Sequence, residues 1–334
     1  MQSSIRRFFA AFAVVLAALG TASAQVQGGA EWDTTARPFG GGQSVQPGRS
    51  GEPQHDPTLE QLNKFLSVQQ LPPSDRSNLL GIRAFLLSRA GREADSQKDI
   101  AEMGKVLPDG WQITLWRLMP ELAGGGDRGA ALRTLSYGLQ RKPNDPWLLV
   151  AQAQVTMQIA DFPRALGMLD SAIAMATGPL DRRLALYYRG QASFNLGNFQ
   201  QAADDFDAVL ASLTTPELRL EVTLWRYAAQ VHTKRDARGL LNKEVGNDNL
   251  YKWPGPIAKF LLGKLSAGEL EVAAESDDAA KRVNGKCAAS FFIAMDAQRH
   301  GDRQRAREQL QLAQARCPTV SPYNWAASSE LKRL

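Results

Sequence analysis

The sequence predicts an all-α solenoid of stacked helical hairpins with a C-terminal capping helix, and three observations predict it. First, Leu186, Arg189, Gly190, Gly197, Phe199, Ala202 and Phe206 return 37 residues earlier as Leu149, Gln152, Ala153, Ala160, Phe162, Ala165 and Leu169. Second, a further step of 34 residues brings Gly126, Ala131 and Leu135 into the same slots, and Gly301, Ala306, Leu310, Ala313 and Pro318 repeat them downstream. Self-similarity at this period marks helix-turn-helix units that bury their apolar faces only by stacking. Third, Pro108, Pro143, Pro179 and Pro216 fall between units, where a helix must stop.

Residues 1–24 read as a secretory leader. Arg6 and Arg7 precede the apolar run Phe8 to Leu19, and Ala22-Ser23-Ala24 forms a cleavage site. The run of twelve is too short for a bilayer, which needs about 20 residues. Nothing later is long and apolar enough for a span. The expected location is therefore the periplasm, with cleavage after Ala24. Residues 25–57 hold seven Gly and four Pro among 33 residues and read as a disordered linker.

Helical periodicity begins with Leu59, Leu62, Phe65 and Leu66. Leu71-Pro72-Pro73-Ser74 interrupts it, with Ser74 or Asp75 as N-cap. The first repeat covers 77–108, with Ser96 where alanine is usual. The second covers 112–143, the third 146–177 and the fourth 183–214. In the fourth, Ala202 is small where the two helices approach, and Phe206 and Leu210 are large where they fill the gap to the next unit. A helical pattern with a degenerate turn at Lys234 to Ala237 completes the solenoid, 58–252. The C-terminal helical region, 253–334, opens on Trp253-Pro254-Gly255-Pro256. It continues through a short helix at Ile257 to Leu262, a capping box Ser266-x-x-Glu269 and a polar stretch at Asp277 and Asp278. A last hairpin runs from Cys287 to Pro318, and a closing helix from Pro322 covers that hairpin's apolar face.

Composition excludes several classes. The chain has 334 residues, 44% of them apolar, enough for a substantial core. Its net charge of +5 falls to +3 without Arg6 and Arg7, and the basic residues are scattered. Nucleic-acid binders concentrate charge on one face, so none is expected here. The two cysteines, Cys287 and Cys317, suit a disulfide in an oxidising compartment. By register, Cys287 begins the first helix of its hairpin and Cys317 ends the second, and antiparallel packing brings those ends together. Such a bridge stabilises by roughly 3–4 kcal/mol.

These slots resemble the tetratricopeptide repeat across roughly residues 77–318. The C-terminal run, from Trp253-Pro254-Gly255-Pro256 through Phe260 to Ser266, Cys287 to Asp302, Cys317-Pro318 and Glu330 to Leu334, resembles exported bacterial proteins of the NlpI type. That resemblance implies an all-helical periplasmic adaptor that docks envelope proteases and peptidoglycan hydrolases. This chain departs from the type in having no lipidated cysteine after its leader.

No motif announces chemistry. Gly124 to Gly129 spells a dinucleotide fingerprint, but it leaves a helical stretch and sits where the repeat needs a turn, not after a strand. His55, His232 and His300 have no ligand partners at metal spacing, and His300 suits a helix C-terminus. Asp204 and Asp205 diverge by about 100° on a helix and read as a solvated face. No cofactor, metal or enzymatic activity is expected. The first helix of each hairpin should instead line a concave groove with Trp116, Val150, Gln154, Met157, Gln158, Tyr187, Gln191, Phe194 and Asn195. Rings supply buried area and amides pair with a peptide backbone, although several of these residues equally suit packing between hairpins. The function expected is a non-catalytic scaffold for protein or peptide partners. The alternative is a structural accessory of polysaccharide export or envelope assembly that forms homo-oligomers.

Overall fold

The computed structural model describes residues 57–67, 71, 73–89, 92–106, 128–213, 216–245 and 250–334. Among these, every regular element is a helix. The leader, the linker up to residue 56, Trp116 and Gly124 to Asp127 lie outside the described residues. The chain divides into two compact units between Arg141 and Lys142.

The first unit contains α1 (Pro57–Leu66), α2 (Pro73–Arg89), α3 (Glu93–Val106) and α4 (Arg128–Arg141). Pro57 and Pro73 each open a helix rather than precede one. The first helical position needs no backbone N–H, and proline already holds the helical φ. Ser74 and Asp75 therefore sit inside the first turn of α2 instead of capping it. Helices α2 and α3 form a hairpin on buried Leu80, Ala84, Leu87, Ile100 and Met103. Its polar clamp is Arg83, whose Nε and Nη2 donate to both carboxylate oxygens of Asp99 at 2.8 and 2.6 Å.

The second unit begins with three hairpins. They are α5 (Pro146–Gln158) with α6 (Phe162–Met175), α7 (Pro179–Leu196) with α8 (Phe199–Ser212), and α9 (Pro216–Val231) with the shorter α10 (Ala237–Val245). Asp145 caps α5, accepting from the N–H groups of Trp147 and Leu148. Pro179 and Pro216 are not spacers: both lie at the start of the following helix, so α7 begins four residues before the repeat register places it.

The small turn slot of the repeat has a backbone cause. Ala160, Gly197 and Gly301 all adopt left-handed φ, at 59°, 83° and 77°. Alanine is strained there by about 1–2 kcal/mol, partly offset by the smaller freedom it has when unfolded. Ala160→Gly is expected to stabilise by about 0.5–1 kcal/mol. A thermal melt checks this, and an unchanged or lower midpoint would show that the turn carries no strain.

The other small slot answers to packing. A Cβ on Gly190 would lie 2.7 Å from the Phe206 ring. In the preceding hairpin the same slots hold Ala153 and Leu169, both fully buried. Gly190→Ala is expected to cost about 1–3 kcal/mol through overpacking. In a Phe206→Leu background the same change should cost about 1 kcal/mol less or better, a coupling readable from a four-member denaturation cycle. Strict additivity would refute the contact.

Asp205 overturns its expected exposure. Asp204 is solvated, but Asp205 is 3% exposed and accepts from Arg189 Nε and Nη2 at 2.9 and 2.6 Å. The pair repeats the Arg83–Asp99 clamp at the same separation of 16 residues. The side of α8 that carries Asp205 faces α7, not water.

Two short helices follow, α11 (Gly255–Leu261) and α12 (Ala267–Ala273). The Ser266–Glu269 capping box opens α12 as the sequence indicates. The last hairpin is α13 (Ala279–Arg299) and α14 (Arg303–Arg316), and α15 (Pro322–Arg333) follows it. Cys287 is not the first residue of α13. Asp278 accepts from the N–H groups of Ala280 and Lys281 and starts the helix two turns earlier. Because α13 has 21 residues and α14 has 14, Cys287 lies beside the end of α14. There it forms a buried disulfide with Cys317. His300 is the C-cap of α13.

The core of this unit is an aromatic cluster shared by α7, α9, α13 and α15. Phe194, Trp225 and Phe291 are 5.8–6.1 Å apart ring to ring and fully buried. Tyr323 stacks on Trp225 at 5.1 Å and 4°. Residues 253–334 thus share a core with the hairpins before them.

Candidate partner-binding groove

The inward face assigned from the repeat register is a ladder. Gln158, Asn195 and His232 stand 37 residues apart at successive equivalents of one slot on α5, α7 and α9. Gln154 and Gln191 occupy a second slot, one turn earlier. The register is preserved because α5, α7 and α9 are the first helices of consecutive hairpins.

In this unit the ladder is covered by the chain's own C-terminal helix. Asn195 donates from Nδ2 to the Gln191 carbonyl at 2.9 Å and accepts at Oδ1 from the Ser329 hydroxyl at 2.9 Å. His232 Nε2 lies 3.1 Å from Glu330 Oε2, and the His232 ring stacks on Phe199 at 3.9 Å. Gln298 of α13 donates to the same Glu330 oxygen at 2.8 Å. Arg333 Nη1 and Nη2 donate to the carbonyls of Asn195 and Phe194 at 2.9 and 3.2 Å. Both carbonyls lie in the last turn of α7, where Phe194 also accepts from the Gly197 N–H at 3.0 Å, and a cation there meets the negative end of the helix dipole.

The other groove candidates divide between packing and polar support. Met157 and Phe194 are fully buried and Gln154 is 8% exposed. Phe194 belongs to the aromatic core, and Gln154 bonds Tyr188 between successive first helices. Tyr187 donates its hydroxyl to Glu221 Oε1 at 2.8 Å. Burial pushes the Tyr187 and Tyr323 hydroxyls well above the usual tyrosine range, and the nearby Glu221 charge pushes further. Both therefore stay neutral, and Tyr187 stays a donor to Glu221. Gln191 is 1% exposed, and Gln158 is half-buried at the edge of the ladder.

Glu330 is the electrostatic centre, at 1% exposed. Burial drives its carboxyl upward, but bonding to His232 and the charges of His232 and Arg333 outweigh this and hold it below the usual range. The sign follows. A depressed carboxyl adds stability above its unfolded value near about 4.3 and loses it as pH falls through the folded value. Docking of α15 should therefore weaken below about pH 4. Hydrogen exchange of the α15 amides, corrected for intrinsic rates, checks this. Glu330→Gln should flatten the acid dependence, and an unaltered profile in that variant would refute the assignment.

Glu221, Trp225, His232, Ser329, Glu330 and Arg333 join the face although the groove reading omitted them. His232 was legible as the next step of the 37-residue offset, but the degenerate turn after it obscured the repeat. Nothing in the sequence links the last three to α7.

Among the described residues no cluster of His, Cys, Asp and Glu suited to a metal ion occurs, and no helix is long and apolar enough to cross a membrane. No family model and no curated protein matches the sequence. Among solved structures, the chain is similar to PilW, a widely conserved type IV pilus biogenesis factor, at 16% identity. The match covers 72% of this chain and 92% of that one, with a TM-score of 0.42. It is similar to a tetratricopeptide repeat protein of Parabacteroides merdae at 13% identity, over 75% of this chain and 98% of that one, with a TM-score of 0.46. The tetratricopeptide domain of P58(IPK) aligns at 15% identity over 83% of this chain and 84% of its own length, with a TM-score of 0.27. The likeness is confined to helical-hairpin architecture.

Proposed function

We propose that this chain is a non-catalytic, exported helical-repeat scaffold that holds protein partners on the shared face of its first helices. The observation that carries this reading is the ladder Asn195–His232 gripping a helix through side-chain and helix-end contacts. A face of this kind is a recognition surface, since directional bonds select an occupant and flanking rings supply area. The leader-like residues 1–24 and the Cys287–Cys317 disulfide favour an oxidising compartment, the periplasm. Envelope proteases and peptidoglycan hydrolases are the partner classes suggested by the resemblance to NlpI-type proteins. A photo-crosslinker placed at Gln158 in living cells tests the reading. Adducts with a protease or a cell-wall hydrolase are expected. Adducts with further copies of this chain alone would overturn it in favour of a structural accessory.

A further inference from the structure

The bonds that hold α15 specify what else the ladder can hold. Tyr323, Glu330 and Arg333 lie along one side of the helix, seven and then three residues apart. Each has its own receptor: Trp225 for the ring, His232 with Gln298 for the carboxylate, and the carboxyl end of α7 for the guanidinium. Between these anchors the buried residues of α15 are Ala326, Ala327 and Ser329, so little apolar area fastens the middle of the helix. The resident also leaves polar capacity unused. The side-chain oxygens of Gln191 and Gln298 are buried and have no hydrogen-bond partner among the described residues. Finally, α15 joins the disulfide-fixed Cys317 through the four residues 318–321, and its remaining ties to α14 are hydrogen bonds at half-buried or exposed positions: Asn324 to the Gln314 and Cys317 carbonyls, Gln314 to Ser328, and Arg303 to the Leu334 carbonyl. Its release therefore leaves the α13–α14 hairpin pinned, the kind of local opening that needs no global unfolding.

We propose that this face is a helix-reading site and that a partner docks by inserting an amphipathic helix in place of α15. The partner helix carries an aromatic ring, a carboxylate seven residues later and an arginine three residues after that. This identification rests on the scaffold reading above and names the chemistry of its partner. The competition makes α15 an internal occupant whose departure opens the site, so observed affinity scales with the fraction of molecules in which α15 is undocked.

The test uses the full chain and a fluorescein-labelled peptide with the sequence of residues 320–334. The native protein should bind the peptide weakly. The double variant Glu330→Ala with Arg333→Ala loosens the resident and leaves the ladder intact, and should bind it about ten-fold tighter or more. Adding His232→Ala or Asn195→Ala to that variant should reverse the gain. Equal binding by the native and loosened proteins overturns the proposal. Should the loosened variant fail to fold, a protease site inserted between Pro318 and Ser321 of the native chain serves instead. After cutting, the severed helix should exchange with labelled peptide, and its failure to exchange overturns the proposal. Exchange without any protease or hydrolase crosslink overturns the scaffold reading alone. Such crosslinks without exchange overturn the helix-reading site alone.

Discussion

Replacing Trp225 by alanine is expected to destabilise the protein by about 3–5 kcal/mol, the range for truncating a fully buried tryptophan. The residue is 1% exposed and touches rings from four directions: Phe194, Phe206, Phe291 and Tyr323. These rings come from α7, α8, α13 and α15, so none can collapse into the space without moving its helix. The cost therefore includes a cavity as well as lost transfer energy. Chemical denaturation gives the loss. Hydrogen exchange should show the α15 amides opening most, since Tyr323 loses its stacking partner. Tyr323→Ala should reproduce that opening with a smaller loss of global stability, because the ring is smaller and only half-buried and it loses three ring contacts, to Trp225, Phe291 and Phe292, rather than four. A loss below about 1 kcal/mol in Trp225→Ala would mean that the cluster is not the core.

Asp205→Ala is expected to cost about 3–5 kcal/mol, because it leaves the Arg189 guanidinium without its principal partner. A guanidinium keeps its proton in a protein, so Arg189 cannot escape the loss by becoming neutral. The remaining Asp170 contact is exposed and contributes little. Removing both charges tests the cause. A double variant Arg189→Met with Asp205→Leu, similar in volume, should recover most of the loss, since paired desolvation often cancels the attraction. The α5–α6 hairpin already has an uncharged solution, Gln152 and Met168 at the equivalent positions. Denaturation of the two variants side by side decides the matter. A double variant as unstable as Asp205→Ala would place the effect in packing instead.

The two Arg–Asp clamps are invisible to the repeat pattern. Arg83–Asp99 and Arg189–Asp205 share one spacing, but neighbouring hairpins omit it, so the repeat did not announce it. Asp205 looked solvated because Asp204 beside it is. Adjacent helical residues point in different directions, and only the position of α7 says which of the two is covered.

The sequence by itself determined the helical hairpins, the turns at Ala160, Gly197 and Gly301, the small slots at Gly190 and Ala202, and the capping box at Ser266. These depend on residues a few turns apart, where backbone sterics and repeat spacing leave few alternatives. Tertiary structure alone decided that the groove face of this unit is occupied, and by what. Ser329 meets Asn195 across 134 residues and Arg333 meets Phe194 across 139. No local preference encodes a contact that exists only after the hairpins have stacked and brought the end of α7 within reach of the last helix.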